Sequence, residues 1–325
     1  MTHLYGSIVL YRNKKEQVLK AINSFLNTEL KVKLFLVDNS PDDSLRELEK
    51  IDSRIEYIFN NANLGYGKAH NIAIRRSIED NVPYHLVLNP DVYFEKGVLE
   101  KLYEYMENHP DVGNVMPKVV CPDGSIQYLC KLLPTPIDLF VRRFIPFKSI
   151  KEKLNYNYEL RWTGYNIEMN VPFLSGCFMF LRVSVLKEVG LFDERFFMYG
   201  EDTDLNRRIH RKYKTMFYPY CTVVHEHGRE SYKSFKMLKI HVINMAKYFN
   251  KWVWFFDKER DRINKKAIEE IKKVLRYYVR SKQTLSNSSL HSLISISSSL
   301  LIFSLLIADH LGLLAGRLKS DWYAG

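Results

Sequence analysis

The sequence predicts an α/β protein built on a parallel sheet and extended at its C-terminus by helices. Four short apolar runs, SIVLY (7–11), KLFLV (33–37), RIEYIF (54–59) and YHLVL (84–88), are separated by segments with helical spacing or helix-start residues. That alternation is the pattern of βα units closing into a parallel sheet. The runs end on turn-forming and polar residues, Asp38-Asn39-Ser40 after the second and Asn89-Pro90-Asp91 after the fourth. In such sheets ligands bind outside the carboxyl ends of the strands, so these endings are candidates for function as well as for turns.

Taken in order, KEQVLKAINSFL follows the first strand with Val18, Ala21, Ile22, Phe25 and Leu26 on one helical face. PDDSLRELEKI opens with capping residues and reads as a short helix. NNANLGYGKAHNIAIRRS runs from a glycine loop into a helix, and VLEKLYEYMENHPD is a helix with Leu99, Leu102, Tyr103 and Met106 inward. VGNVMPKVVCPDGSIQ reads as two short strands around an Asp123-Gly124 turn. Residues 131–170, rich in aromatic, proline and basic residues without a clean period, are expected to form a mobile or acceptor-facing loop. FLSGCFMFLR (173–182) is a strand interrupted at Ser175-Gly176, where the missing side chain permits close approach. VSVLKEVG is a short helix, FDERFFMYGEDTDLNRRIHRKY a loop leading into another, and TMFYPYCTVVHEHGRES two strand-like runs ending in histidines.

Length and composition bound the function. A chain of 325 residues with 46% hydrophobic content buries a sizeable core, and its net charge of +11 at pI near 9.2 asks for an anionic partner. No nucleic-acid-binding motif is present, and the basic residues are scattered rather than interleaved with aromatics, which argues against DNA or RNA. The four cysteines form no CxxC pair and fit reduced thiols in a cytoplasmic setting. The N-terminus does not resemble a secretory signal. Residues 260–282 form a basic amphipathic segment, and 285–316 are apolar but diluted by serine. Together they suit either an anionic membrane surface or packing against the chain's own core or a second subunit.

Several local patterns have a plain structural reading beside a chemical one. Glu201, Asp202 and Asp204 in GEDTDLNRRIH would cap a helix start as readily as supply a catalytic acid. His225 and His227 in HEHG share a face on an extended chain, which is weak evidence for a metal. Gly65-Tyr66-Gly67-Lys68 lacks the spacing of a P-loop or a dinucleotide fingerprint, and LYRNKKE after the first strand excludes a dinucleotide-dependent oxidoreductase of the usual type.

The order of the motifs is more informative than any one of them. SIVLYRN, LFLVDNS, NLGYGKAHNIAI, LVLNPDV, FLSGCFMFLRVSVLKEVGLFDERFFMYGEDTDLNRRI and VVHEHGRES, in that sequence, resemble the inverting family-two glycosyltransferases of the GT-A fold over roughly residues 5–250. The rhamnosyltransferase-like enzymes of cell-surface polysaccharide assembly, O-antigen included, are the most similar subgroup. The resemblance implies a Rossmann-like nucleotide-binding half (1–97), an acceptor-binding and catalytic half (98–250) and a helical extension (251–325). It assigns Asp38 to the nucleotide base, Asn63, Gly65 and Asn71 to the donor, and Asp91 to the last acid of the DxD metal motif, with Asn89 in place of the first acid. It further assigns Gly176 and Cys177 to the acceptor side, Asp202 to the catalytic base with Glu201 orienting it, and His225 or His227 to metal or diphosphate.

The implied reaction is metal-dependent transfer, with Mg2+ or Mn2+, from a dTDP-sugar or UDP-sugar to a hydroxyl on a growing glycan carried by a polyprenyl diphosphate. Dimers or higher homo-oligomers are compatible with it. The expected place is the cytoplasm, peripheral to the inner face of the plasma membrane. L-Rhamnose from dTDP-rhamnose is the favoured sugar, UDP-hexose or UDP-N-acetylhexosamine the alternative, and a non-catalytic nucleotide-sugar-binding protein the reading from another class. The last would not need an acid at position 202.

Overall fold

In the computed structural model the described residues are 2–138, 147–226 and 235–281. Strands β1 (Leu4–Leu10), β2 (Val32–Asp38), β3 (Ile55–Phe59) and β4 (Tyr84–Leu88) pair in parallel in the order β3-β2-β1-β4. Their side chains are buried almost without interruption along β1, β2 and β4, as continuous apolar runs require in a sheet covered on both faces. Helix α1 (Lys15–Leu26) turns Val18, Ala21, Ile22 and Phe25 inward. Helix α2 (Tyr66–Glu79) lays Ala69 and Ala73 on Tyr5, Phe35 and Val37, where small residues let helix and sheet approach.

Beyond β4 the sheet becomes mixed. After β5 (Val92–Tyr93) and helix α3 (Val98–Asn108) come β6 (Val112–Val120) and the two-residue β7 (Cys130–Lys131). Helix α4 (Lys148–Tyr158), β8 (Met169–Asn170) and β9 (Phe173–Leu174) follow, then β10 (Phe178–Arg182), helices α5 (Val183–Val189) and α6 (Glu201–His210), and β11 (Lys214–His225). Strand β10 runs antiparallel between β4 and β6, β11 lies parallel to β6, and β5 closes the far edge antiparallel to β11. Strand β8 also pairs with β11, completing a nine-stranded sheet among the described residues, while β7 and β9 form a separate ribbon.

Several expectations are corrected. The helix expected over 41–51 is a single 3-10 stretch, Arg46–Ile51, in which only Leu48 is buried; with so little apolar face nothing pulls Pro41-Asp42-Asp43 into a helix. The two runs expected over 215–231 are one strand, β11, with a register shift between Tyr218 and Thr222. Pro219, which has no N–H to give the ladder, sits within that shift. The hairpin around Asp123-Gly124 reduces to the strand β6 and one bridge, Val120 to Ile126. Residues 131–170 contain α4, a 3-10 turn at Arg161–Thr163 and β8 rather than one loop; 139–146 are outside the described residues.

Two helices complete the described chain, α7 (Phe235–Trp252) and α8 (258–281). Packing in the first of two compact units continues past residue 250 to Lys272, with Ile263 against Leu133 and Phe173, and Ala267 and Ile271 buried. The second unit begins at Lys273, and the apolar stretch 285–316 lies outside the described residues. No helix among the described residues is long and apolar enough to cross a membrane.

Helix α6 is fixed from both ends of its polar face. Arg207, 1% exposed, pairs with Asp257 at 2.8 Å and Glu259 at 3.0 Å and lies 4.2 Å over the Trp252 ring. Asp204, fully buried, takes Arg208 at 2.9 Å, Lys251 at 2.7 Å and the Trp252 indole N–H at 2.7 Å. A buried charge set of this kind is tolerable only because every member has partners, and the partners here lock the orientation of α6 against α7 and the start of α8.

Candidate active site

The carboxyl ends of β1, β2, β3 and β4, the loop entering β10, the first turn of α6 and the end of β11 come together at one edge of the sheet. Each group arrives for a local reason. Asn89 stays in register because its N–H donates to the Cys177 carbonyl at 3.0 Å, continuing the β4–β10 ladder for one residue before Pro90 ends it. Pairing of His225 with Val92, and of the Glu226 N–H with the Asp91 carbonyl at 2.9 Å, sets the end of β11 beside the turn. As a result His225 Nε2 lies 3.3 Å from Asp91 Oδ1.

The imidazole is oriented from behind. His225 Nδ1 is 2.9 Å from Gln127 Oε1, and Gln127 Nε2 donates to the His225 carbonyl at 2.7 Å. An amide oxygen accepts only, so Nδ1 carries the proton and Nε2 presents its lone pair toward Asp91 when the ring is neutral. Burial opposes a charge on this ring, but the Cys177 sulfur and the Asp91 carboxylate outweigh it and lift the imidazole to about 10. A carboxylate oxygen and an imidazole nitrogen at this separation fit a shared divalent cation, whose entry displaces that proton. Among the described residues no third His, Cys, Asp or Glu completes a cage, so the donor set suits a cation that takes its other ligands from phosphate and water.

On the other side of the edge, α6 starts at Gly200 with a left-handed φ of 96° and presents Glu201 and Asp202 in its first turn. Asp202 Oδ2 accepts from the Gly176 N–H at 3.0 Å, and Oδ1 from the Thr203 N–H at 2.7 Å. A Cβ at position 176 would stand 3.2 Å from Asp202 Cβ and 3.3 Å from Oδ2, so the glycine is what permits this approach. Glu201 is buried, with no hydrogen-bond partner for Oε2 among the described residues. Burial, then the charge of Asp202, pushes its carboxyl up to about 8, and burial also raises Asp202. Two neighbouring carboxyls share their ionisation; Asp202 holds the hydrogen bonds that favour a carboxylate, and Glu201 keeps the proton.

Tyr66 joins the two sides. Its hydroxyl lies 2.7 Å from the Gly176 carbonyl and 3.0 Å from Asn89 Oδ1. Burial, and then the neighbouring Cys177, Glu201, Asp202 and Asp91, hold this phenol well above its usual range, so it stays a donor. Tyr66 can begin a helix here because Gly65, at φ 83°, lets the loop pass Phe197, whose carbonyl oxygen an added Cβ would meet at 2.3 Å. Next to these groups is a cavity of about 830 Å³ lined by Tyr11, Arg12, Lys20, Asn63, Phe197 and Glu226 among others, with Met237 and Ile240 of α7.

Other expected positions differ. Asn71 is turned to the loop before α6: its Nδ2 donates to the Phe192 carbonyl at 2.9 Å and Glu194 at 3.1 Å, and its Oδ1 accepts from the Phe192 N–H at 3.1 Å. The side chain is a clip on the loop before α6. Asp38 is completely buried, its Oδ1 taken by the Ser40 N–H at 2.7 Å and its Oδ2 by the Tyr57 hydroxyl; in this conformation it shapes the β2 turn and does not line the cavity. Asn63 is exposed at the cavity wall, its Oδ1 accepting from the Gly65 N–H at 3.1 Å. Cys177 is buried beside His225. His227 lies outside the described residues. Sequence reasoning missed Tyr66, Gln127, Tyr11 and Arg12. An aromatic residue between two glycines at a helix start was a usable signal for Tyr66; Gln127 had none.

A nine-stranded mixed sheet with this edge defines a GT-A glycosyltransferase fold. Residues 7–190 match the Glycosyl transferase family 2 domain, and residues 135–320 the related Glycosyl transferase family group 2. The chain therefore belongs to glycosyl transferase family 2. It is 29% identical over 214 residues to the N-acetylglucosaminyl-diphospho-decaprenol L-rhamnosyltransferase of Mycobacterium tuberculosis, covering 62% of this chain and 68% of that protein. It is 24% identical over 266 residues to Rhamnosyltransferase WbbL of Escherichia coli K12, covering 79% of this chain and 97% of the relative. Among solved structures, GalNAc-T7 with UDP, GalNAc and Mn2+ superposes with a TM-score of 0.54 at 13% identity. That match takes in 86% of this chain and 57% of the GalNAc-T7 chain, and at this identity it speaks to the fold alone.

Proposed function

We propose that this glycosyltransferase moves a sugar, with inversion, from a nucleoside diphosphate donor to a hydroxyl on a growing lipid-linked surface glycan, and that Asp202 is the base. What most supports this is the hydrogen-bonded path from Asp202 through Gly176 and Tyr66 to Asn89, with Asp91 facing His225 one turn further on. It holds a carboxylate that accepts protons and a carboxylate–imidazole pair that accepts a cation on two sides of one edge. The donor occupies the 830 Å³ cavity, its phosphates near Arg12 and Lys20. Asn63 and Gly65 shape the wall that receives it, Gly176 and Cys177 the acceptor side.

Asp91 and His225 would hold Mg2+ or Mn2+, which when bound stabilises the charge that grows on the departing diphosphate. Asp202 takes the proton from the acceptor hydroxyl as the new bond forms, from within about 3 Å. Glu201, carrying its proton, keeps a second negative charge away from that hydroxyl. The relatives' names favour rhamnosyl transfer to an acceptor on a polyprenyl diphosphate; dTDP-rhamnose as the donor and the cytoplasmic membrane face as the place belong to the proposal, with a UDP-hexose or UDP-N-acetylhexosamine as the alternative donor. The division into a donor half, residues 1–97, and an acceptor half beyond it belongs to the same proposal.

The test combines binding and transfer. Thermal shift against a panel of dTDP- and UDP-sugars, with and without Mn2+, identifies the donor. Asp202→Asn should lower transfer by about 10²–10⁴-fold and leave donor affinity nearly unchanged. Asp91→Ala should remove the metal dependence of donor binding. Transfer by Asp202→Asn at the wild-type rate would discard the base, and an unchanged metal requirement in Asp91→Ala would discard the cation site.

A further inference from the structure

The turn between α7 and α8 carries side chains that sugar transfer does not use. Val253, Phe255 and Phe256 are 57%, 59% and 92% exposed, and Val253 and Phe256 have φ of 75° and 55°. Residues with a Cβ rarely hold that backbone conformation, and beside it nearly all of Phe256 and more than half of Phe255 are left in water. The turn is not a collapsed loop, because Trp254 anchors it: its indole N–H donates to Asn250 Oδ1 at 2.7 Å and its ring lies 5.2 Å from Phe249.

The apolar surface continues along the outward face of α7, where Phe235, Val242 and Ile243 are 83%, 37% and 45% exposed beside the exposed Lys239 and Lys247. From Phe235 through Lys258 the sequence holds five lysines and one acid, Asp257, and that acid is buried against Arg207. Beside the turn is a hollow of about 410 Å³ lined by Arg195, Phe196, Lys247, Asn250 and Lys251. Asp193 takes Arg195 and Lys251, and Lys251 also pairs with the buried Asp204, so Lys247, which donates to the Arg195 carbonyl, carries the rim's remaining positive charge.

We propose that the Val253–Phe256 turn and the outward face of α7 dock on an anionic phospholipid bilayer. Phe255 and Phe256 enter the headgroup boundary, and the exposed Lys239 and Lys247 lie against lipid phosphates. The shape is a protruding aromatic wedge with cations at its base, which suits a soft interface that can close around it. The charge complementarity is one-sided, as for an anionic surface. Met237 and Ile240, on another face of the same helix, line the 830 Å³ cavity, so docking would bring that cavity close to the membrane. This last consequence rests on the transfer reading above; the docking does not.

The experiment is sedimentation of the full chain with vesicles of phosphatidylglycerol and phosphatidylcholine, compared with pure phosphatidylcholine. Wild type is expected to bind the anionic vesicles preferentially and to be released by high salt. Phe255→Ser/Phe256→Ser should weaken that binding about tenfold or more while keeping the wild-type melting temperature. Brominated lipid should quench the tryptophan emission of wild type, and less so that of Trp254→Phe. Three results would overturn the proposal: wild-type binding by the double variant, which moves the lipid contact elsewhere, for example to residues 285–316; equal binding to neutral vesicles; or a wild-type dimer that the double substitution dissolves, with no vesicle binding. None of these depends on transfer, whose own failure shows as loss of the nucleotide-induced thermal shift.

Discussion

Replacing Glu201 with Gln tests the ionisation assigned to the two first-turn carboxyls. Glu201 is buried, one of its oxygens has no hydrogen-bond partner among the described residues, and burial followed by the charge of Asp202 raises it from 4.5 to about 8. A carboxyl raised on folding contributes stability that is fully present below about 4.5 and is lost as pH rises through about 8. At 1.36 kcal/mol per pH unit, that interval sets a ceiling of roughly 5 kcal/mol. Asp202 shares the titration, so about 2–4 kcal/mol is the expected loss. Gln has nearly the same shape and never ionises. Denaturant midpoints at constant m should therefore show wild type and Glu201→Gln within about 1 kcal/mol at pH 4, and the variant more stable by about 2–4 kcal/mol at pH 9. A difference that does not change with pH would refute the assignment. Transfer should survive within about tenfold, since Glu201 acts in its neutral form; a loss as deep as that of Asp202→Asn would make Glu201 the base.

Tyr66→Phe removes the hydroxyl that ties Gly176 to Asn89 and should slow transfer about 10–100-fold at a stability cost of about 1–2 kcal/mol; steady-state kinetics at wild-type level would release Tyr66 from the site. Gln127→Leu takes away the acceptor behind His225 Nδ1 and should weaken metal affinity in the presence of nucleotide about 10–100-fold, read by Mn2+ titration, with an unchanged affinity counting against His225 as a ligand. Arg207→Ala leaves Asp257 buried without its guanidinium and should cost about 3–5 kcal/mol in urea unfolding. A cost under about 1 kcal/mol would mean that α6 is held by packing alone.

The half of the fold that was legible in the sequence is the half buried on both faces. Strands β1, β2 and β4 are nearly continuous apolar runs because helices cover them above and below, and such runs announce themselves without partners. Strand β11 could not be read as one element, since the register shift around Pro219 breaks its pattern while the pairing with β6 continues on both sides of it. The same distinction separates the site residues. Asp202, Asp91 and Asp38 all stand at element ends, where the order of motifs suggested a role. Asn71 and Asp38 carry the same kinds of atoms, yet their partners lie across the fold or in the next strand, Phe192 and Glu194 for one and Tyr57 for the other. No local pattern distinguishes an amide that clips a distant loop from one that faces a ligand.

Asn89 shows how burial can decide the letter at such a position. Burial first, and then the neighbouring Cys177 and the acids Glu201, Asp202 and Asp91, hold the Tyr66 phenol well above its usual range, and burial raises both carboxyls of α6. A carboxylate at 89 would accept the same hydrogen bond from Tyr66 but add a fourth acid to this set, raising the others further. The amide oxygen of Asn89 accepts that bond at 3.0 Å without charge. Its backbone N–H meanwhile extends the β4–β10 ladder to the Cys177 carbonyl, so the residue holds the turn that aims Asp91 at His225. Under the proposed cation site, a neutral residue in the first position of the motif would leave Asp91 as the one acid of the turn to hold the ion, with His225 at the end of β11 as its second protein ligand.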